Sequence, residues 1–163
     1  MRAFTMMLRG AALGAGLLLA GSACAADIEI QAPWSRATAK GAAVGGGYLT
    51  IVNNGKAPDR LVSATADVAE KAEIHEMAMD NAVMTMRALP DGVEIKPGET
   101  LTFKPGGLHL MLMGLKKPLV QGAEIHVTLN FAKAGAIAVT LPVGSLGATG
   151  PAAPAADSPT ISY

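Results

Sequence analysis

From residue 27 onward, apolar and polar positions alternate along most of the chain. A period of two is the mark of strands that bury one face. DIEIQAPW opens the series, and Pro33 is expected to end this strand or hold it at an edge. SRATAKGAAVGGG reads as a loop by composition. YLTIVN is a β-rich run closed by the turn signal Asn53-Asn54-Gly55. RLVSATA, VEI, TLTF, LHLMLMGL, AEIHVTLNF and AIAVTLPV then follow as further strands. Pro90-Asp91-Gly92, Lys96-Pro97-Gly98 and Lys104-Pro105-Gly106-Gly107 punctuate them with turn chemistry. Short strands with regular turns predict an all-β fold, an antiparallel Greek-key sandwich or barrel.

Between Ala72 and Arg87 the pattern predicts a hairpin. His75, Met77 and Met79 share one face at period two, Asp80-Asn81 supply the turn, and Met84 and Met86 share a face on the return. Ala, Glu, Lys and Met over 68–79 would also suit a helix, but the β signals on both sides favour the strand. In LHLMLMGL, His109, Met111 and Met113 fall on one face and Leu110 and Leu112 on the other. In AEIHVTLNF, Ile125, Val127, Leu129 and Phe131 claim the buried face, which turns His126 toward solvent.

The ends have a different composition. Residues 1–26 read as a secretion signal: Arg2 and Arg9 precede an apolar run over Ala11 to Ala20, too short to span a bilayer. Cleavage is expected after Ala25 or Ala26. The rival is a lipoprotein lipidated at Cys24, but Gly21 stands where a lipobox usually has Leu. Residues 27–143 then form the folded domain, and the Gly-, Ala-, Pro- and Ser-rich stretch 144–163 reads as a disordered tail.

Removing the leader takes away the single cysteine, and with it thiolate catalysis, disulfides, Cys-type zinc sites and blue-copper ligation. It leaves 11 basic and 13 acidic side chains, a net charge of −2, which gives no electrostatic case for nucleic acid or an anionic membrane. No second hydrophobic span is apparent, so no membrane span is expected in the mature chain.

The candidate chemistry lies in residues 73 to 115. This stretch holds two of the three histidines and every methionine beyond the leader: Met77, Met79, Met84, Met86, Met111 and Met113. Methionine is a common core filler, so a methionine-rich core is the plain alternative. Thioethers beside both His75 and His109 point instead to a soft metal, copper(I). There is no Gly-x-Ser-x-Gly or His-Glu-x-x-His motif and no carboxylate cluster near the histidines, which argues against an enzyme.

The spacing resembles that of periplasmic copper(I) chaperones of the PCuAC type, whose motif is His, ten residues, Met, about twenty-one residues, then His-x-Met. Here ten residues separate His75 from Met86, and twenty-two separate Met86 from His109-Leu110-Met111. HEMAMDNAVMTMR, KPGGLHLMLMGLK, PWSRAT and GGGYLTIVNNG are also similar to that family. The resemblance implies a cupredoxin-like sandwich in the periplasm. It implies copper(I) on His75, Met86, His109 and Met111. Met77, Met79 and Met113 lie further along the strands from these histidines, and with Met84 they are expected to form a surround that keeps the site apolar. The resemblance further implies a copper acceptor that is a cytochrome c oxidase subunit or its assembly factor. Copper storage or tolerance, and a sandwich used only for protein contacts, remain as alternatives.

Overall fold

The computed structural model describes residues 27–152. The leader, its cleavage site, Cys24 and residues 153–163 of the tail lie outside them. Among the described residues there are ten strands and no helix. They are β1 (Ile28–Arg36), β2 (Val44–Asn53), β3 (Asp59–Ala66), β4 (Ala69–Asp80), β5 (Val83–Ala88), β6 (Val93–Ile95), β7 (Thr100–Thr102), β8 (Leu108–Leu115), β9 (Glu124–Phe131) and β10 (Gly135–Gly144). The predicted all-β class is observed, and the hairpin reading over 72–87 prevails over the helix. Ile74 is buried between neighbouring strands, and pairing of this kind overrides the helical preference of Ala, Glu and Lys.

The strands pair in the order β5-β4-β8-β2-β1-β10-β9-β3-β6. A further β3–β4 contact, Ala64 opposite Ala72, closes β4, β8, β2, β1, β10, β9 and β3 into a barrel. One pair departs from the expected antiparallel arrangement: β1 and β10 run parallel, with Ser35 opposite Val143 and Arg36 opposite Gly144. Barrel closure removes exposed sheet edges along this ring. The interior is filled by inward residues such as Leu49, Ile51, Leu61, Leu110, Leu112 and Leu129, each at most 1% exposed.

Two local expectations change. Pro33 does not end β1; it sits in a bulge between Gln31 and Trp34, where Ala32 takes φ 45°. A bulge is one of the few places where a strand tolerates a residue without N–H. The glycines of GGGYLT are strand, not loop. Gly45 faces inward, and a Cβ there would stand 2.9 Å from Leu119 Cδ1; at Gly46 it would stand 2.6 Å from Tyr48 Oη. These glycines allow close approach. The stretch after β10 opens with a turn tied to the barrel, where Arg36 Nε donates to Ala148 O at 2.8 Å.

Candidate metal centre

β4 is the strand on which the candidate residues converge. It pairs with β8 on one side, and its second half pairs with β5 on the other. His75 lies directly opposite His109 on β8 and opposite Ala88 on β5. Met77 pairs with Met86, and Met79 with Met84. Met111 lies opposite Glu73, and Met113 opposite Lys71. Opposed residues of antiparallel strands share a face. All eight predicted residues therefore stand on the outer face of this three-stranded patch, while Ile74, Leu110 and Leu112 point into the core.

The two imidazoles form the centre of the patch. Their ring centroids are 5.8 Å apart and their planes tilt by 55°. His109 is only 8% exposed, and the His75 side chain 13%. His109 Nδ1 lies 3.0 Å from the Gly107 carbonyl oxygen. A carbonyl only accepts, so Nδ1 carries the proton and Nε2 keeps its lone pair. His75 Nε2 lies 2.8 Å from Glu73 Oε2; by the same argument Nε2 donates and Nδ1 keeps the lone pair. That Nδ1 is buried and has no hydrogen-bond partner. A buried polar atom with no partner is unusual and marks a place where a ligand completes the structure. The donor set fits a soft metal: two largely buried imidazoles beside neutral thioethers.

The thioethers flank this pair on both sides. Met86 stands one rung toward the β4–β5 turn, diagonal to His75, and Met111 one rung the other way on β8. Diagonal neighbours lie within reach of long side chains. Met77, directly opposite Met86, is as close to the imidazole pair by register as Met86 is. Met86 is 50% exposed, whereas Met77 is half-buried. A hollow of ≈ 280 Å³ borders His109 and Met111, with Gly46 and Tyr48 among its walls. Tyr48 is itself braced by Trp34, with ring centroids 4.5 Å apart. Among the described residues no three His, Cys, Asp or Glu side chains gather as a metal group; Glu73 is the carboxylate beside the imidazoles, and the methionines supply the thioethers of this face.

Sequence reasoning overlooked Glu73. The structure joins it to His75 and also to Lys71. The hydrogen bond from His75, then that from Lys71, holds the Glu73 carboxyl below its usual range. The signal was present as Glu-x-His, which at period two puts both side chains on one face. His126 lies elsewhere, exposed on β9 opposite Thr140.

The fold and its outer patch define the class, a PCuAC-type domain. The copper-bound PCuAC domain of PmoF2 superposes with a TM-score of 0.61 at 28% identity, covering 73% of this chain and 93% of that one. The copper(I) form of DR1885 from Deinococcus radiodurans gives 0.55 at 27% identity, covering 77% and 85%. The chain belongs to the LpqE-like family, described as "Putative lipoprotein LpqE-like", which matches residues 28–143. A relative from Leifsonia xyli subsp. xyli, described as a putative lipoprotein, is 35% identical over 116 residues, 71% of this chain and 69% of that one. The resemblance drawn from the His-Met spacing is thus borne out.

Proposed function

We propose that this protein is a copper(I) carrier of the periplasm, that it holds one copper(I) on His75, Met86, His109 and Met111, and that it delivers the ion to a cytochrome c oxidase subunit or its assembly factor. The observation that carries the reading is the unpartnered, buried His75 Nδ1 on an imidazole whose ring centroid lies 5.8 Å from that of His109. The copper-bound and copper(I) forms of similar PCuAC domains support it.

Copper(I) is the cargo. It is soft and tolerates three or four donors without a demanding geometry. The two thioethers bind without losing a proton, and the imidazoles are already set in the tautomers that present a lone pair. Glu73 and the Gly107 carbonyl hold those tautomers. The exposed Met86 is the donor an acceptor's ligands can displace first. Transfer is then ligand exchange with no change of oxidation state and no bond made within the protein, so no catalytic role is assigned.

Competition against a copper(I)-specific chelator tests the site. One tight equivalent per chain, without intense blue colour, is expected; no binding would overturn the reading. Incubating the loaded protein with the copper-binding domain of an oxidase subunit tests delivery, and failure of copper to move would remove that half alone. Export with cleavage before Ala26 or Asp27 belongs to the same reading. The relatives described as lipoproteins favour a second form, lipidated at Cys24. An intact-mass measurement on exported protein separates the two.

A further inference from the structure

We propose that Met79 and Met84 form a second, weaker copper(I) site near the tip of the β4–β5 hairpin, a loading station that passes the ion through Met77 to the imidazole pair. The proposal rests on the copper reading above. Its starting point is exposure: Met79 is 69% exposed and Met84 51%. Methionines that served as core filler would be covered, and these are not.

The register gives the exposed thioethers an order. Met79 opposes Met84, and the next rung of the same face is Met77 opposite Met86. Directly opposed side chains start from Cβ atoms about 5 Å apart, and methionine's three rotatable bonds let two sulfurs converge on one ion. The other face of the hairpin is polar. There Arg87 Nη2 meets Glu76 Oε2 at 2.7 Å, and Thr85 Oγ1 donates to the Ala78 carbonyl. All four hairpin methionines are on one side and the charges on the other.

The turn locks this arrangement. Asn81 and Ala82 both have positive φ, 47° and 64°, the mark of a two-residue type I′ turn. Alanine is an uncommon residue at positive φ. A two-residue turn leaves no slack, and a slip of one residue would send one strand's methionines to the polar face. The hairpin thus presents thioethers in a row that ends at His75 and His109.

Neutral thioethers take copper(I) without releasing a proton. The ion stays in the same oxidation state throughout. A bond to the Met77 sulfur forms as one to Met79 or Met84 breaks, and the imidazoles, stronger donors than thioethers, draw the ion inward. The outer rung lacks an imidazole and therefore fills second at equilibrium.

Carbon-13 methyl spectra of the methionines, recorded while copper(I) is added under reductant, test this. The first equivalent should shift the Met86 and Met111 methyls, and excess copper(I) should then shift Met79 and Met84. The double variant Met79→Leu, Met84→Leu, a volume-conserving exchange at exposed positions, should keep the first step and lose the second. Unmoved Met79 and Met84 methyls at excess copper(I) would overturn the outer site while the carrier reading stands. So would their shifting in step with Met86, or a second step that survives in the double variant. A first equivalent that leaves Met86 and Met111 unmoved would instead sink the carrier reading, and shifts at Met79 and Met84 would then still support the outer rung.

Discussion

Two groups of buried polar side chains in this barrel are treated in opposite ways. Asn53 is 1% exposed and Asp59 7%, and both are fully engaged. Asn53 Nδ2 donates to the Ala57 and Ile95 carbonyls, and its Oδ1 accepts from Gly55 N. Asp59 accepts from the backbone N–H groups of Arg60, Lys133 and Ala134. Burial opposes ionisation of Asp59, but those three donors outweigh it and hold its carboxyl below the usual range. At the imidazole pair, by contrast, His75 Nδ1 is buried without a partner. An orphaned buried group costs about 1–3 kcal/mol. The same fold that satisfies every polar atom around Asp59 carries that cost at His75. In the first group Asp59 clamps β3 to the β9–β10 turn and Asn53 ties the end of β2 to β6; the second is left ready for something to arrive.

The comparison can be broken most severely at the open group. His109→Ala should weaken copper(I) binding by more than the ~100-fold typical of losing a supporting partner, and His75→Ala, Met86→Ala and Met111→Ala likewise. Chelator competition checks this, with circular dichroism to verify the fold; unchanged affinity in all four would leave the methionines as mere packing. Met77→Leu set beside Met86→Leu sharpens the assignment, since the two are opposed on one rung, and the smaller loss is expected at Met77.

The closed group should answer on stability alone. Asp59→Ala orphans three backbone donors and should lower unfolding stability by about 2 kcal/mol, read by urea titration, with copper affinity untouched. Because the folded carboxyl has a lowered pKa, its contribution is fully present above the unfolded value of about 4 and is lost as pH falls through the folded value. The gap between wild type and variant should therefore narrow in acid; a gap that widened would put the ionised carboxylate in the wrong role.

Smaller still is the effect expected at Glu73. Glu73→Ala frees the His75 tautomer and should weaken copper(I) about tenfold, roughly 1.4 kcal/mol. Glu73→Gln keeps an acceptor for Nε2–H and should restore most of that. Equal losses in both variants would mean that charge, not orientation, is what Glu73 supplies. At the end of the scale, His126→Ala should leave affinity unchanged and stability within ~0.5 kcal/mol.

Much of this was legible in the chain because the barrel obeys a single local rule. LHLMLMGL alone put His109 and Met111 on one face and Leu110 and Leu112 on the other, and the structure keeps that division. Turn residues between the strands announced where pairing reverses. Long-range pairing was harder to see: nothing local reveals that β1 and β10 lie side by side and parallel, or that His75 meets His109 in register. The composition of GGGYLT misled, because glycine that permits close approach looks the same as glycine that permits a turn. Pro33 misled for a similar reason, since only the partner strand shows that the ladder slips there. Glu73 was not legible because a single acid two residues from an imidazole is an ordinary surface pattern, and only the folded strand shows the two side chains in hydrogen-bond contact.

The direction of β1 has a bearing on reach. The described chain starts at Asp27, and β1 runs from Ile28 to Trp34 and Ser35, which lie beside Tyr48 and Gly47. Gly46 and Gly47 in turn lie beside Met111 and Leu110, next to the imidazoles. Seven residues of strand span roughly 20 Å. Asp27 thus lies about one strand length from the rungs that carry the imidazoles, with β1 held between β2 and β10 along the way. A chain fastened upstream of Asp27 would therefore carry the His-Met patch toward the end of the barrel remote from that fastening, and a chain cut there would lose nothing that the patch touches among the described residues.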